Sequence, residues 1–439
     1  MNSPFDVKNG NCHQGMPKRL GLVGIGGVGD VHLGVLRGLT KSGEARLVAV
    51  ADPALAGRKE AVEGFAREGV AAFCSLEEML ASGVGLDGVV LATPIPLHFP
   101  MAMACLKARI PVLMEKPPVV LPEELETLEK ADAEGVVAVG FQLAASSLVQ
   151  KAKSLILSGE IGDVTGIRAM AGWPRDDAYY ARAGWAGRMN WRGLPTFDGP
   201  ATNGLAHLVQ MGMFLACPAG AECAVPEKVT AEFYRARPLE SYDAVCLRCE
   251  FPGDIPFTVA LAHCVAGLVP GEIKVIGTHG SLTLRSDSNG FLPMSLIVDS
   301  RGEKQAFAVK NENHFEELYR HFLGVLDGRR ERQLTELADC RGYVLATAGA
   351  LLSSRGIRTI PAGSIRKAAG EDGAVHAVDG LESLLQESFR TGRLFSELGA
   401  DWASPSDEVR TADITPEKLA AFFPSPAPRK LPVYTDRTN

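Results

Sequence analysis

Leu20-Gly21-Leu22-Val23-Gly24-Ile25-Gly26-Gly27-Val28-Gly29 is a short apolar run that breaks into a glycine turn. A helix-like segment from Asp30 to Leu39 follows, and a second apolar run, Leu47-Val48-Ala49-Val50-Ala51, ends in Asp52. The order is strand, turn, helix, strand, acid. Gly24 permits the tight turn, Gly26 lets backbone approach a pyrophosphate, and Gly29 lets the helix pack closely on the sheet. The helix N-terminus offers N–H groups to phosphates. The flanking strands, with an acid roughly 20 residues beyond the glycines, supply the context that a bare G-x-G-x-x-G lacks. A dinucleotide site is therefore expected at Gly24, Ile25, Gly26, Gly27, Val28, Gly29 and Asp52. A carboxylate at Asp52 accepts bonds from ribose hydroxyls and repels a 2′-phosphate, so NAD is expected over NADP. Arg58 and Lys59 are the cations near enough in sequence to oppose that preference.

Outward from this stretch, strand and helix signals alternate as far as Phe141. Buried-type strands at Asp87–Ala92, Pro111–Met114 and Val136–Val139 are separated by helical segments, one of them opened by the capping-box spacing of Ser75 and Glu78. Continuous apolar strands between helices mean a parallel sheet covered on both faces. From Gln142 the texture changes. A helix at Ser147–Ser158 precedes a loop rich in aromatic and basic residues, Gly172–Phe197, then a helix near Gly204–Leu215 and a run of strands from Lys228 to Asp299. That pattern predicts an α+β second domain with a mostly antiparallel sheet. The expected organisation is an arm (1–17), a Rossmann domain (18–141), an α+β substrate and oligomerisation domain (142–362) and a C-terminal extension (363–439). The extension's one clear helix is Leu381–Leu398, and Pro424–Pro432 is proline-rich.

With 439 residues the chain is long enough for two cores, and 46% apolar with 22% charged residues is globular. A net charge of -7 argues against a nucleic-acid or anionic-membrane partner, since both need basic surface. No apolar run has membrane-span length and the first residues lack a signal-peptide core, so a cytoplasmic location is expected. Nine scattered cysteines read as reduced thiols. Cys246 and Cys249 lie three apart on a strand and face opposite ways, so no metal site is expected there.

Thr93-Pro94 and Glu115-Lys116-Pro117 end two parallel strands, at the edge where such sheets bind ligands. Lys116 there is placed to bond a ribose hydroxyl and a substrate hydroxyl. In Asp198-Gly199-Pro200-Ala201-Thr202-Asn203-Gly204-Leu205-Ala206-His207, Asn203 is a natural N-cap, and Asn203 and His207 would share one helix face. A neutral imidazole that takes a hydroxyl proton as hydride leaves is what an alcohol dehydrogenase needs. In the aromatic loop, Arg175, Tyr179, Tyr180, Arg182, Trp185 and Trp191 are candidates for sugar contact. Rings stack on sugar C–H faces and arginines clamp carboxylates or hydroxyls, so an acidic sugar would suit them.

The glycine turn with His32, Asp52, Thr93-Pro94 with His98, and Glu115-Lys116-Pro117 together resemble the Gfo/Idh/MocA oxidoreductases. The resemblance runs over roughly Lys18–Pro361, adding His207 and Ser353-Ser354-Arg355-Gly356. It implies a Rossmann domain plus an open-faced α+β domain whose sheet often forms dimers or tetramers. It further implies bound NAD(P) and hydride exchange at a ring carbon of a sugar, sugar acid or cyclitol. Lys116 and His207 fall on the family's catalytic lysine and histidine, and Thr93, Pro94, His98, Glu115 and Lys116 on its cofactor positions; His32 and His98 read as structural rather than catalytic. Where the family commonly has an aspartate four residues before that histidine, this chain has Asn203. That departure leaves open a non-catalytic NAD-binding sensor or regulator, or a family-like enzyme that cleaves a glycosidic bond through transient oxidation.

Overall fold

In a computed structural model, residues 16–217, 222–286, 292–310 and 312–423 are described. Most of the expected N-terminal arm, with Cys12, and the proline-rich 424–432 segment lie outside them. Six strands form the first sheet: β1 (Lys18–Val23), β2 (Ala45–Ala51), β3 (Ala71–Phe73), β4 (Gly88–Leu91), β5 (Val112–Met114) and β6 (Val137–Val139). All pair in parallel, in the order β3-β2-β1-β4-β5-β6, the doubly wound order of a dinucleotide-binding fold. Between them run α1 (Val28–Ser42), α2 (Lys59–Arg67), α3 (Leu76–Ala81), α4 (His98–Lys107) and α5 (Pro122–Ala131). The Ser75 hydroxyl caps α3 by accepting from the Glu78 amide, while the Glu78 carboxylate reaches back to the Cys74 amide.

The second domain begins with α6 (Ser147–Leu157), β7 (Val164–Gly172), the short α7 (Asp177–Ala181) and a small ribbon, β8 (Asn190–Trp191) with β9 (Leu194–Pro195). After α8 (Ala206–Ala216) come β10 (Lys228–Arg235), β11 (Ala244–Phe251), β12 (Ile255–Ala262), β13 (Val269–Gly277), β14 (Gly280–Ser286), β15 (Pro293–Ser300) and β16 (Glu303–Ala308). Two helices, α9 (His314–Leu326) and α10 (Arg341–Ser353), precede β17 (Arg358–Thr359). The sheet runs β16-β15-β14-β13-β7-β12-β11-β10-β17 and is mostly antiparallel, with β7–β12 and β10–β17 parallel. Its inner face shares one core with the first sheet through α8 and α10, residues such as Val89, Leu208, Leu247 and Val344 being fully enclosed. Alternation puts Cys249 in that inner core and Cys246 on the outer face, as the strand spacing requires. α9 returns across the chain to cover the other face of the first sheet, where Leu318, Tyr319 and Phe322 meet Leu20, Leu22 and Val90.

The extension is folded onto the domain. A hairpin, β18 (Ile365–Ala369) and β19 (Ala374–Val378), leads to α11 (Leu381–Thr391), then β20 (Val409–Arg410) on the edge of β10 and α12 (Pro416–Leu419). Leu381, Leu385, Leu394 and Phe395 pack on Met170, Tyr234, Cys246 and Ala260. The β7–β12–β11–β10 half of the outer face is thus covered by the chain itself. The helix expected over Leu381–Leu398 stops at Thr391 because Gly392 takes a left-handed conformation (φ 77°) that ends it. Among the described residues no helix is long and apolar enough to cross a membrane, and the described cysteines are free thiols.

Leu385 is fully buried. Leu385→Ala should therefore lower the unfolding free energy by about 2–5 kcal/mol in urea titration. An unchanged midpoint would mean that the extension does not fold with the domain.

Candidate active site

The C-terminal edge of the first sheet opens into a cavity of about 1820 Å³, shared with the second domain. That is larger than the ~1,000 Å³ upper end of single-ligand clefts, so two ligands fit side by side. Asp52 ends β2 and Lys116 follows β5, three strand spacings away, or roughly 14 Å. Between them lie the glycine turn and Thr93-Pro94, and all of these line the cavity.

At the glycine end, Gly24 has φ 86°, and a Cβ there would stand 2.3 Å from the Ala92 carbonyl oxygen. A Cβ on Gly29 would meet the Gly24 carbonyl at the same 2.3 Å, so the start of α1 sits directly on the turn. No side chain caps α1, which leaves its first amides for a ligand. Asp52 accepts the Ile25 amide at 3.0 Å and the Ala54 amide at 2.7 Å, which fixes its carboxylate beside the turn with lone pairs to spare. This cradle suits a pyrophosphate and a ribose. Arg58 also lines the cavity, on the side of Asp52.

Three of the expected cofactor residues are placed behind the wall rather than in it. Ile25 contributes an amide to Asp52, and Gly29 contributes close packing. His98 is buried with Nδ1 2.7 Å from the Pro117 carbonyl and Nε2 2.8 Å from the Thr93 carbonyl. It lies between the Pro117 and Thr93 carbonyls at the sheet edge, and burial pushes its pKa down although each carbonyl favours a protonated ring nitrogen. His32 likewise is structural: Tyr319 Oη lies 2.8 Å from Nδ1, and Nε2 lies 3.0 Å from Glu115. A neutral ring satisfies both contacts, accepting from Tyr319 and donating to Glu115. Burial works against ionisation of Glu115, but the His32 bond and the nearby Lys116 and His207 hold its pKa well below the usual range.

Lys116 extends from the end of β5, across a cis bond to Pro117. Its Nζ donates to both oxygens of Asn203, the backbone carbonyl at 2.9 Å and Oδ1 at 3.0 Å. Asn203 is not the N-cap of the helix. It sits in a π-helical turn, Pro200–Gly204, that precedes α8, and its amide is held by tertiary partners instead. Nδ2 donates to Asp198 Oδ1 at 2.7 Å. Asp198, off the helix in sequence, is thus one bond from the lysine's partner; its other oxygen accepts the Gly187 amide, and Arg182 lies 3.9 Å away. Burial raises the Asp198 pKa, opposed by Arg182 and these donors. Burial pushes the Lys116 pKa down, with Glu115 and Asp198 opposing and Arg182 and Arg175 adding to it.

His207, buried in the first turn of α8, meets the cavity and packs edge-on against Phe141 at 5.6 Å. Burial, then the Lys116 charge, drives its pKa down to about 3. The ring is therefore neutral in ordinary buffers and able to take a proton.

The opposite wall is the aromatic loop, and Arg175, Tyr179, Tyr180, Arg182, Trp185 and Trp191 all line the cavity. The Arg175 guanidinium lies 3.6 Å from the Trp173 ring centre and 4.2 Å from that of Tyr179. Arg182 lies 3.7 Å from the same Tyr179 ring and 4.8 Å from Trp185. The C-terminal extension braces this wall from behind. Asp176 and Asp177 accept the Asp372 and Ala374 amides of the β18–β19 turn, each at 2.8 Å, and Arg237 joins Asp177 to the Ala374 carbonyl. At the loop's far end Asn190 donates to the Phe422 carbonyl, and Phe423 packs on Phe197. Sequence reasoning missed His263, at the end of β12. It is buried, its Nδ1 lies 3.0 Å from the Trp173 carbonyl, and its edge packs against Gly204 of the cavity wall. A lone histidine closing an apolar strand carried no signal for this.

Comparison with known proteins agrees with this geometry. Residues 18–141 match the family model described as "Oxidoreductase family, NAD-binding Rossmann fold", and residues 149–283 match the "GFO/IDH/MocA C-terminal domain". The chain is 28% identical over 157 residues to an inositol 2-dehydrogenase of Corynebacterium glutamicum (strain R), covering 35% of this chain and 44% of that one. It is 34% identical over 147 residues to the inositol 2-dehydrogenase of Rhodococcus erythropolis, covering 33% and 41%. The chain thus spans less than half the length of these curated relatives. A crystal structure of the WlbA dehydrogenase from Bordetella pertussis in complex with NADH and UDP-GlcNAcA has the same fold. Its TM-score is 0.63 at 24% identity, over 77% of this chain and 97% of that one.

Two measurements probe the site. Asp52→Ala should weaken NAD binding about tenfold while improving NADP relative to NAD, since it removes both an acceptor and a repulsive charge; an unchanged ratio of the two dissociation constants would place selectivity elsewhere. For His207, a folded pKa near 3 against 6.5 unfolded means that only the unfolded chain binds the proton between those values. Its contribution is complete above pH 6.5 and erodes as pH falls, by at most about 1.4 kcal/mol per unit. Urea midpoints from pH 7.5 down to 4.5 should fall less steeply in His207→Gln than in the parent. By its two matched domains and by this fold, the chain belongs to the GFO/IDH/MocA oxidoreductase family, with that family's NAD-binding Rossmann domain.

Proposed function

We propose that the protein is an NAD-dependent oxidoreductase that exchanges a hydride between nicotinamide and a ring hydroxyl or ketone of a sugar, sugar acid or cyclitol. The observation that carries this is the convergence of a buried ammonium, Lys116, and a buried neutral imidazole, His207, on a cavity whose other end is a glycine cradle with Asp52. Bound NAD would supply the hydride acceptor. Lys116 donates to the reacting oxygen, which lowers that hydroxyl's pKa. His207 takes its proton, with the Glu115 carboxylate favouring the imidazolium that forms. Asn203 holds Lys116 in place and is itself oriented by Asp198, so the missing aspartate is compensated by a carboxylate one hydrogen bond further back. The inositol 2-dehydrogenases and the UDP-GlcNAcA complex among the relatives support a polyol or sugar substrate. We place the activity in the cytoplasm. We also infer a homo-oligomer, a dimer or tetramer; one built on the outer sheet face would use the strip over β13–β15, around Lys274, Thr283 and Ile297, that the extension leaves uncovered.

Lys116→Met should cut turnover with any accepted polyol by about 100-fold or more while NAD binding stays measurable by NADH fluorescence. Equal turnover would remove Lys116 from the chemistry. Because kcat/KM reports the free enzyme, its pH profile should show no break near pH 6.5 from His207. A break there that disappears in His207→Gln would contradict a ring held neutral by burial.

A further inference from the structure

The arginines of the aromatic loop differ in how their charge is met. Arg188 pairs with Glu240, and Arg237, which follows β10, pairs with Asp177 of the loop. Among the described residues no carboxylate forms an ion pair with Arg175, and its Nε is buried without a hydrogen-bond partner. Arg182 donates to the Tyr179 carbonyl at 2.6 Å, and among the described residues its one carboxylate partner is Asp198 at 3.9 Å, which already accepts from Asn203 and Gly187. Glu115, the other acid on this part of the wall, is bonded to His32. Lys116, Arg175 and Arg182 therefore face the substrate half of the cavity with less than their charge in carboxylates.

Stacking does not account for this by itself. The Trp173 and Tyr179 rings, centred 3.6 and 4.2 Å from the Arg175 guanidinium carbon, attract its charge but supply no carboxylate for its N–H donors. A guanidinium held among aromatic rings can bind a planar or tetrahedral oxyanion through two parallel bonds. Arg182, against the same Tyr179 ring and with one nitrogen on the Tyr179 carbonyl, brings its remaining N–H donors.

We propose that the substrate half of the cavity is an anion subsite, in which Arg175 and Arg182 bind a carboxylate or phosphate group carried by the sugar. This rests on reading the cavity as a sugar site and narrows it to acidic sugars. The subsite's oxyanion sets which end of the sugar faces the rings, and so which hydroxyl reaches Lys116 and His207. A carboxylate would come from a sugar acid, and a phosphate from a sugar phosphate or a nucleotide sugar.

The test is isothermal titration of the full chain, saturated with NAD, using glucose, glucuronate and glucose 6-phosphate as probes. One of the two anions should bind at least about tenfold more tightly than glucose, and which one identifies the group. Added salt should weaken the anion and leave glucose unchanged. Arg175→Gln should bring the anion to the level of glucose without changing NAD affinity, and that unchanged affinity also reports an intact fold. Equal binding of all three, binding of none, or an anion preference that survives both Arg175→Gln and Arg182→Gln would overturn the subsite. Sugar-dependent NAD reduction without anion preference would leave the oxidoreductase reading standing and remove only this one; failure to bind NAD would remove the reading beneath it.

Discussion

A buried ammonium must find oxygen, and in this chain it finds both oxygens of a single residue from the other domain. Lys116 leaves the edge of the first sheet and donates to the carbonyl and the side-chain oxygen of Asn203. The two domains share this contact, so the position of the lysine depends on their relative placement. Taking a charge out of water costs several kcal/mol unless its field is answered nearby. Glu115 on one side and Asp198 behind Asn203 answer it. Each carboxylate is itself held, Glu115 by His32 and Asp198 by the Gly187 and Asn203 N–H groups. The neutral state of His207 follows from the same arrangement. Burial first, and then the Lys116 charge, outweigh the pull of Glu115 and leave the ring uncharged.

The amide at Asn203 has a geometric reason as well. Lysine can only donate and an ionised carboxylate can only accept, so a group placed between them must accept on one side and donate on the other. Asparagine does both, Oδ1 towards Lys116 and Nδ2 towards Asp198. A carboxylate at 203 would place two acids within hydrogen-bond reach, and one of them would have to hold a proton. Asp198 thus reaches Lys116 through Asn203, one hydrogen bond further back.

What could be read from the sequence follows the range of the forces involved. The first sheet was legible because hydrophobic period and turn glycines are local, and Asp52, Gly24, Thr93 and Lys116 come out along one edge of it. His207 and the aromatic loop also reach the cavity. Asn203 was misread as an N-cap because its sequence neighbours favour one, while its actual partners lie 87 residues before it and 5 residues before it on a different element. His98, Ile25 and Gly29 match motif positions but act through backbone, which residue type alone does not disclose. The extension carried a helix signal and little else. Its packing depends on the pairing of Leu385 and Phe395 with strands more than a hundred residues earlier, and no local period encodes that.

That packing changes how the second domain is to be understood. An uncovered apolar sheet face must be buried by something, and the usual occupant is another subunit. Here Leu381, Leu385, Leu394 and Phe395 fill the apolar half of the outer face, and the rest of β13–β15 carries Glu272, Lys274 and Thr283 among its outward residues. The same segment that covers the face also turns its β18–β19 hairpin onto Asp176 and Asp177, at the start of the helix bearing Tyr179 and Tyr180. Burial of the sheet and bracing of the cavity wall are therefore one structural event. The loop packs on the shared core through Trp173, Trp185, Met189 and Phe197, and it is tied at both ends to the folded extension. On that half of the face, the sheet and the cavity wall are covered and braced by the same chain.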